Sequence, residues 1–309
     1  MKQKAKKLPA ILTAVLLAAL LLAPAIHAGD APAAPAAGAC ATKYPIVLVH
    51  GAGFGDKPLG LNYWGRIPGA MEEKGAKIFY GGTDGWGSVE DGAAILKATV
   101  ERVLAETGSA KVNLIAHSKG GIEARYMISS MGMAGKVASL TTISTPHYGS
   151  GVIQEILGWP DFLLRSIAAP VVNLSGRAMG DKNPDFYNAV QSLGTAYMEE
   201  FNKNNPNRPG VYYQSFAGML YAPASDIILS LPGYWVKSVE GPNDGMVTVE
   251  SAKWGKFRGV VRGAGYRGVS HADEVDMRRM DVAIKPLLGA ETVPTLYAAI
   301  VAELKQMGY

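Results

Sequence analysis

Lys111-Val-Asn-Leu-Ile-Ala-His-Ser-Lys-Gly-Gly121 opens as an apolar run, breaks at a serine and continues into glycine. Val112 to Ile115 have the character of a strand buried on both faces. Helix-forming residues take over from Gly120 to Met131. A strand feeding directly into a helix forces a sharp turn at Ser118, which lifts its hydroxyl above the sheet. Ala116 and Gly120, two before and two after the serine, keep that turn free of clashes. The strict Gly-x-Ser-x-Gly spacing is missed at Ala116, but the demand there is for smallness, and alanine meets it. Ser118 is therefore a candidate nucleophile on an elbow.

The same alternation extends in both directions. Tyr44-Pro-Ile-Val-Leu-Val-His50 predicts a strand running into the glycine-rich loop Gly51-Ala-Gly-Phe-Gly55. Lys77 to Tyr80 predicts a second strand, and apolar residues at helical spacing predict a helix over Val89 to Thr107, ended by Gly108. Ser139 to Ser144 and Val211 to Phe216 read as further strands, with a closing amphipathic helix through Leu296, Ile300 and Leu304. Strands alternating with helices imply a mostly parallel sheet covered on both faces. From 151 to 206 the alternation fails, and a dense apolar patch appears: Ile153, Ile156, Leu157, Trp159, Phe162, Leu163, Leu164 and Ile167. An insertion that long between two strands predicts a cap or lid, with Leu157, Trp159, Phe162 and Leu163 as its substrate-facing candidates.

The amino terminus reads as an address. Lys2, Lys4, Lys6 and Lys7 precede an apolar stretch from Pro9 to Pro24, then small residues to Ala28: a secretory signal peptide over residues 1–28. Residues 29–43 have the alanine- and proline-rich composition of a flexible linker, which places Cys40 in a tail as an inert thiol. The catalytic domain is expected over 44–309. Those four lysines account for the whole formal net charge of +4, so the mature body is neutral and nucleic acid is excluded as a partner. One cysteine among 309 residues excludes an internal disulfide and a four-cysteine zinc site. No stable membrane span is expected in the mature chain.

A serine nucleophile needs a base, and the chain has five histidines. His27 falls in the leader, His50 and His117 sit beside the glycine loop and the elbow, and His147 comes too early for the order serine, acid, histidine. His271, in Gly268-Val-Ser-His-Ala-Asp-Glu274, remains, in a loop ahead of a predicted helix. Asp244, on the turn Asn243-Asp-Gly245, is the acid candidate, with Asp226 and Glu240 as runners-up. Backbone N–H groups of Lys119 and Ala52 are the candidate oxyanion donors.

Taken together, the first-strand motif through His50-Gly51, the elbow with Arg125-Tyr126, Pro146-His-Tyr-Gly-Ser150, Asn243-Asp-Gly245 and His271-Ala-Asp-Glu-Val275 resemble the secreted bacterial triacylglycerol lipases of the Pseudomonas, Burkholderia and Proteus type. The resemblance implies an α/β-hydrolase fold with a helical lid, acting on fatty-acid esters, with Ser118, Asp244 and His271 as the triad. It implies no cofactor for the chemistry. Many such lipases steady the histidine loop with calcium, for which Asp273 and, approximately, Asp226 would be the ligands, while Met277 stands where an oxygen donor is usual. Some relatives also need a folding helper, which these residues do not reveal. Besides a lipid ester at a lipid–water interface, the motifs leave three rivals: a carboxylesterase or polyester depolymerase, an acyltransferase, and a non-catalytic binding protein on a hydrolase fold.

Overall fold

The computed structural model describes residues 36–57, 62–221 and 241–309. The leader and the first part of the linker, together with Asp226 and Glu240, lie outside the described residues. Six strands form one parallel sheet in the order β2-β1-β3-β4-β5-β6. They are β1 (Ile46–Val49), β2 (Ile78–Tyr80), β3 (Val112–His117), β4 (Val137–Ile143), β5 (Tyr212–Met219) and β6 (Lys256–Arg262). A two-stranded antiparallel ribbon follows, β7 (Ala283–Leu287) with β8 (Ala290–Thr292).

Successive side chains of the central strands face opposite ways, as the strand period of two requires. Ile46, Leu48 and Ile115 join one core, under α1 (Ile67–Glu72) and α8 (Val293–Gln306). Val47, Val49, Leu114 and Ala116 join the other, under α2 (Val89–Thr107) and α3 (Lys119–Ser129). Burial on both faces is why β1 reads as an unbroken apolar run; β3 and β4 are as fully buried but carry polar residues, of which Ser139 Oγ donates to Asn113 Oδ1 between the strands. Among the described residues this is an α/β-hydrolase architecture, and it places the carboxyl ends of β1, β3, β4 and β5 along one edge, where loops can converge.

The insertion between β4 and β5 is helical and adds no strand. It holds α4 (Gly151–Leu157), a π-turn at Leu163–Ala168 leading into α5 (Ala169–Ala178), then α6 (Phe186–Gln191) and α7 (Thr195–Asn204). Ile153, Ile156, Leu164, Val172 and Phe186 pack against Val89 and Ile122, so part of the predicted apolar patch is ordinary core. Phe162 and Ile167 are exposed, and Leu157, Trp159 and Leu163 are half-buried.

Three expectations need correcting. Residues 36–43, expected as flexible tail, are docked: Cys40 is fully buried among Ile67, Met71 and Ala298 and donates to Ala298 O, while its amide donates to Lys74 O. Composition gave no hint of this, because Cys40 is fixed by partners far along the chain. The predicted helix after His271 is a single 3-10 turn, Asp273–Val275. Strand β6 and the β7–β8 ribbon were not anticipated. β6 is an edge strand opening with an exposed lysine and closing with an exposed arginine, and so lacks the apolar signature of its neighbours.

Candidate active site

Ser118 joins β3 to α3 with φ 53° and ψ −129°, a conformation that costs a non-glycine residue about 1–3 kcal/mol and persists only where the surroundings enforce it. They do so here. Ser118 N–H donates to Ile143 O at 3.0 Å, and Gly121 N–H donates to Ser118 O at 3.1 Å. A methyl group on Gly120 would sit 2.3 Å from His50 O, and one on Gly121 would sit 2.1 Å from Thr145 Oγ1. The two glycines let α3 start directly against β1 and the end of β4. Among the described residues Ser118 Oγ makes no hydrogen bond, as is common for a nucleophile without substrate.

The glycine loop after β1 leans on the serine. A methyl on Gly51 would lie 2.8 Å from Ser118 Cβ. Gly51 N–H donates to Tyr63 Oη at 3.2 Å, and the two ring nitrogens of His50 lie 2.8 Å from Gly51 O and Thr83 O. Gly51 is thus held at both its amide and its carbonyl. The Lys119 side chain is fully buried, paired with Glu123 and within reach of Asp84 O, so its ammonium is committed to structure.

Asp244 is fully buried on the turn predicted for it. Its Oδ1 accepts from Met246 and Val247 N–H, both at 2.8 Å, and its Oδ2 lies 2.7 Å from His271 Nδ1. A carboxylate that already accepts two amides leaves donation to the imidazole, so the proton sits on Nδ1 and Nε2 keeps its lone pair. The His271 ring lies 4.3 Å, centroid to centroid, from the ring of His117, the neighbour of Ser118. Ser118, Asp244 and His271, spread over 153 positions in sequence, are thus linked: His271 pairs with Asp244, and its ring lies against that of the residue before Ser118.

Two residues of this site were not anticipated as such. Glu274 is buried with its Oε1 accepting from Ser144 Oγ at 2.8 Å. Burial first, and then the charge of Asp244, hold its carboxyl well above the usual range, directly behind the Asp244–His271 pair. Tyr63 bridges Gly51 N–H and His117 Nδ1, the latter at 2.7 Å. Burial drives the His117 pKa well below 6.5, so this imidazole is neutral and accepts the phenol proton. The sequence shows both residues but not their burial, and burial is what makes them part of the site. His147 is structural: it accepts from Arg125 through Nδ1 at 3.2 Å and stacks on Trp254.

His117, His271 and Glu274 bring ligand-capable atoms within 4.8 Å of one another, but His271 Nδ1 is committed to Asp244. Asp273 does not fit calcium. Both its oxygens accept from Arg267 Nη2, at 3.2 and 3.0 Å, and Oδ2 also accepts from Ser270 N–H, so the carboxylate is already occupied by a cation where calcium would need free oxygens.

No family model matches the chain. It is 32% identical to a triacylglycerol lipase of Vibrio cholerae over 95% of this chain and 98% of that protein. A triacylglycerol lipase of Burkholderia plantarii is 38% identical over 57% of this chain and 52% of that protein. With three such relatives the matched stretch spans only 52–60% of their length. Among solved structures, a metagenomic carboxyl esterase superposes with a TM-score of 0.67 at 18% identity, covering 92% of this chain and 81% of that one, a likeness of fold.

Proposed function

The chain belongs to the bacterial triacylglycerol lipase family, and from that premise we propose that it hydrolyses carboxylic esters of fatty acids, triacylglycerols among them, through Ser118, His271 and Asp244. The observation that carries this reading is the 2.7 Å His271–Asp244 pair beside a serine in a strained left-handed turn. His271 Nε2 takes the Ser118 hydroxyl proton as Oγ adds to the ester carbonyl. The resulting oxyanion is held by the Ala52 and Lys119 amides. The C–O bond to the alcohol breaks, and the alcohol leaves with the proton from His271. Water then repeats the sequence on the acyl-enzyme and releases the fatty acid. Asp244 keeps its charge throughout and stabilises the imidazolium.

The cap is read as a lid. Phe162, Ile167, Val171 and Leu174 are exposed on one stretch of it, Leu174 at 70%, and a contiguous apolar surface of that kind suits contact with lipid. No helix among the described residues is long and apolar enough to cross a membrane. Delivery outside the cytoplasm would rest on the leader at residues 1–28.

The test is tributyrin hydrolysis measured across the solubility limit of the substrate, with Ser118→Ala beside the wild type. The variant should lose about four to six orders of magnitude in kcat. A rate that jumps once droplets form supports the lidded reading; saturation below the limit makes the protein an esterase of soluble substrates. Activity that survives in the variant would remove Ser118 from the chemistry.

A further inference from the structure

We propose that Arg267 is the built-in cation of the histidine loop: its guanidinium, seated on both oxygens of buried Asp273, holds His271 against Asp244 and fills the place of a divalent ion. The inference rests on the reading of His271 as the general base.

The segment from β6 to β7 carries His271, yet its only regular element among the described residues is the turn Asp273–Val275. Its shape must therefore be imposed by side chains. Ser270 and Asp273 bracket His271 and close a tight loop around it. Ser270 N–H donates to Asp273 Oδ2 at 3.1 Å, and Asp273 N–H donates to Ser270 O at 2.9 Å. The Asp273 carboxylate, 1% exposed, is the centre of that loop, and a charge so buried must be matched to remain there. Arg267 Nη2 matches it at 3.0 Å.

Arg267 is itself anchored to the sheet. Tyr221 N–H donates to Arg267 O at 3.4 Å, and Val269 N–H donates to Met219 O, at the end of β5, at 2.9 Å. The guanidinium thus links a rigid strand end to the loop that positions the base. Three residues beyond, Arg66 grips Asp276 in the same way, with Nη2 on Oδ1 at 2.7 Å and Nε on Oδ2 at 2.9 Å. Arg279 reaches across to Asn62 O. The loop is tied down at successive points by arginines. A metal ion at Asp273 would have to displace a guanidinium and would meet its positive charge.

The first experiment is a thermal melt and tributyrin turnover of the wild type, dialysed against EDTA and then given calcium. The two states should be identical. In Arg267→Gln, which keeps a donor but removes the charge, kcat should fall about tenfold with KM little changed, and the melting temperature should drop by a few degrees. Arg267→Lys should recover most of the lost kcat. A wild type that EDTA weakens and calcium restores overturns the proposal, and so does Arg267→Gln at wild-type kcat. If Arg267→Gln does not fold, the chelation comparison on the wild type still decides. Ser118→Ala, run alongside, separates the two claims: activity in it sinks the catalytic reading, whereas an inactive Ser118→Ala with a calcium-dependent wild type sinks only the role of Arg267.

Discussion

The elbow at Ser118 and the cap over 151–206 are built on opposite principles. Around the elbow the main chain does the positioning: strand end, serine and helix start touch at backbone distances, and the glycines leave no slack. The cap is held by side chains. Its inner face packs Ile153, Ile156, Val172 and Phe186 onto α2 and α3. Its far end is pinned by two exchanged carboxylates: Asp84 accepts from Lys182 and Asn183 N–H at 3.0 and 2.7 Å, and Asp181 accepts from Gly85 and Trp86 N–H at 2.8 and 2.9 Å. A nucleophile needs placement to fractions of an ångström, which backbone sterics supply. The cap keeps exposed Phe162, Ile167, Val171 and Leu174 on its outside, which is what the proposed lid would need.

The comparison breaks most sharply at Gly120. In Gly120→Ala the new methyl would meet His50 O at 2.3 Å and Val49 O at 2.7 Å, both main-chain atoms that cannot yield. The expected loss exceeds about 4 kcal/mol, read as failure to fold or a collapse in melting temperature. Gly135→Ala, where nothing lies within 4 Å, is the control and should change little. An equal tolerance at both positions would mean that the elbow is not sterically fixed.

A smaller effect tests the cap. Phe162→Ser with Leu174→Ser removes two exposed apolar side chains and disturbs no buried contact. Each would contribute about 1 kcal/mol on entering a lipid surface, so the pair should slow hydrolysis of emulsified substrate by about tenfold or more while leaving soluble esters untouched. Equal losses on both substrates would make these residues part of the acyl site rather than a surface contact.

How much of this was legible follows the same division. The elbow could be read because its signal is local: apolar strand, small residue, serine, glycine, helix, all within eleven positions. Chain order and turn chemistry singled out Asp244 and His271, and the structure pairs them at 2.7 Å. The histidine loop could not be read. Arg66 and Asp276 lie 210 residues apart, and nothing in the pattern of either announces the pair. Cys40 failed for the same reason, since its neighbours Met71 and Ala298 are remote. The insertion over 151–206 was visible as a break in rhythm, but which of its apolar residues face inward depends on α2 and α3 beneath them.

The faintest effect is one of pH. The elbow side carries two buried neutral imidazoles, His117 and His147, and the cap contains no histidine. Burial holds both pKa values well below 6.5 in the folded chain, with Arg125 adding to the depression of His147. Below pH 6.5 the unfolded chain therefore binds protons that the folded chain refuses, so stability should fall as pH drops through that value and be indifferent to these groups above it. Glu274 opposes this: its raised pKa means that the folded chain binds a proton the unfolded chain releases above 4.5, a contribution that weakens as pH rises. Thermal melts between pH 7 and 5 should accordingly show a shallower decline in His147→Gln, whose side-chain oxygen can still accept from Arg125. They should show a steeper decline in Glu274→Gln, which cannot take up the proton. Parallel curves for all three proteins would mean that acid opens the molecule elsewhere, with the cap, tied down by the exchanged Asp84 and Asp181 carboxylates, the first place to look.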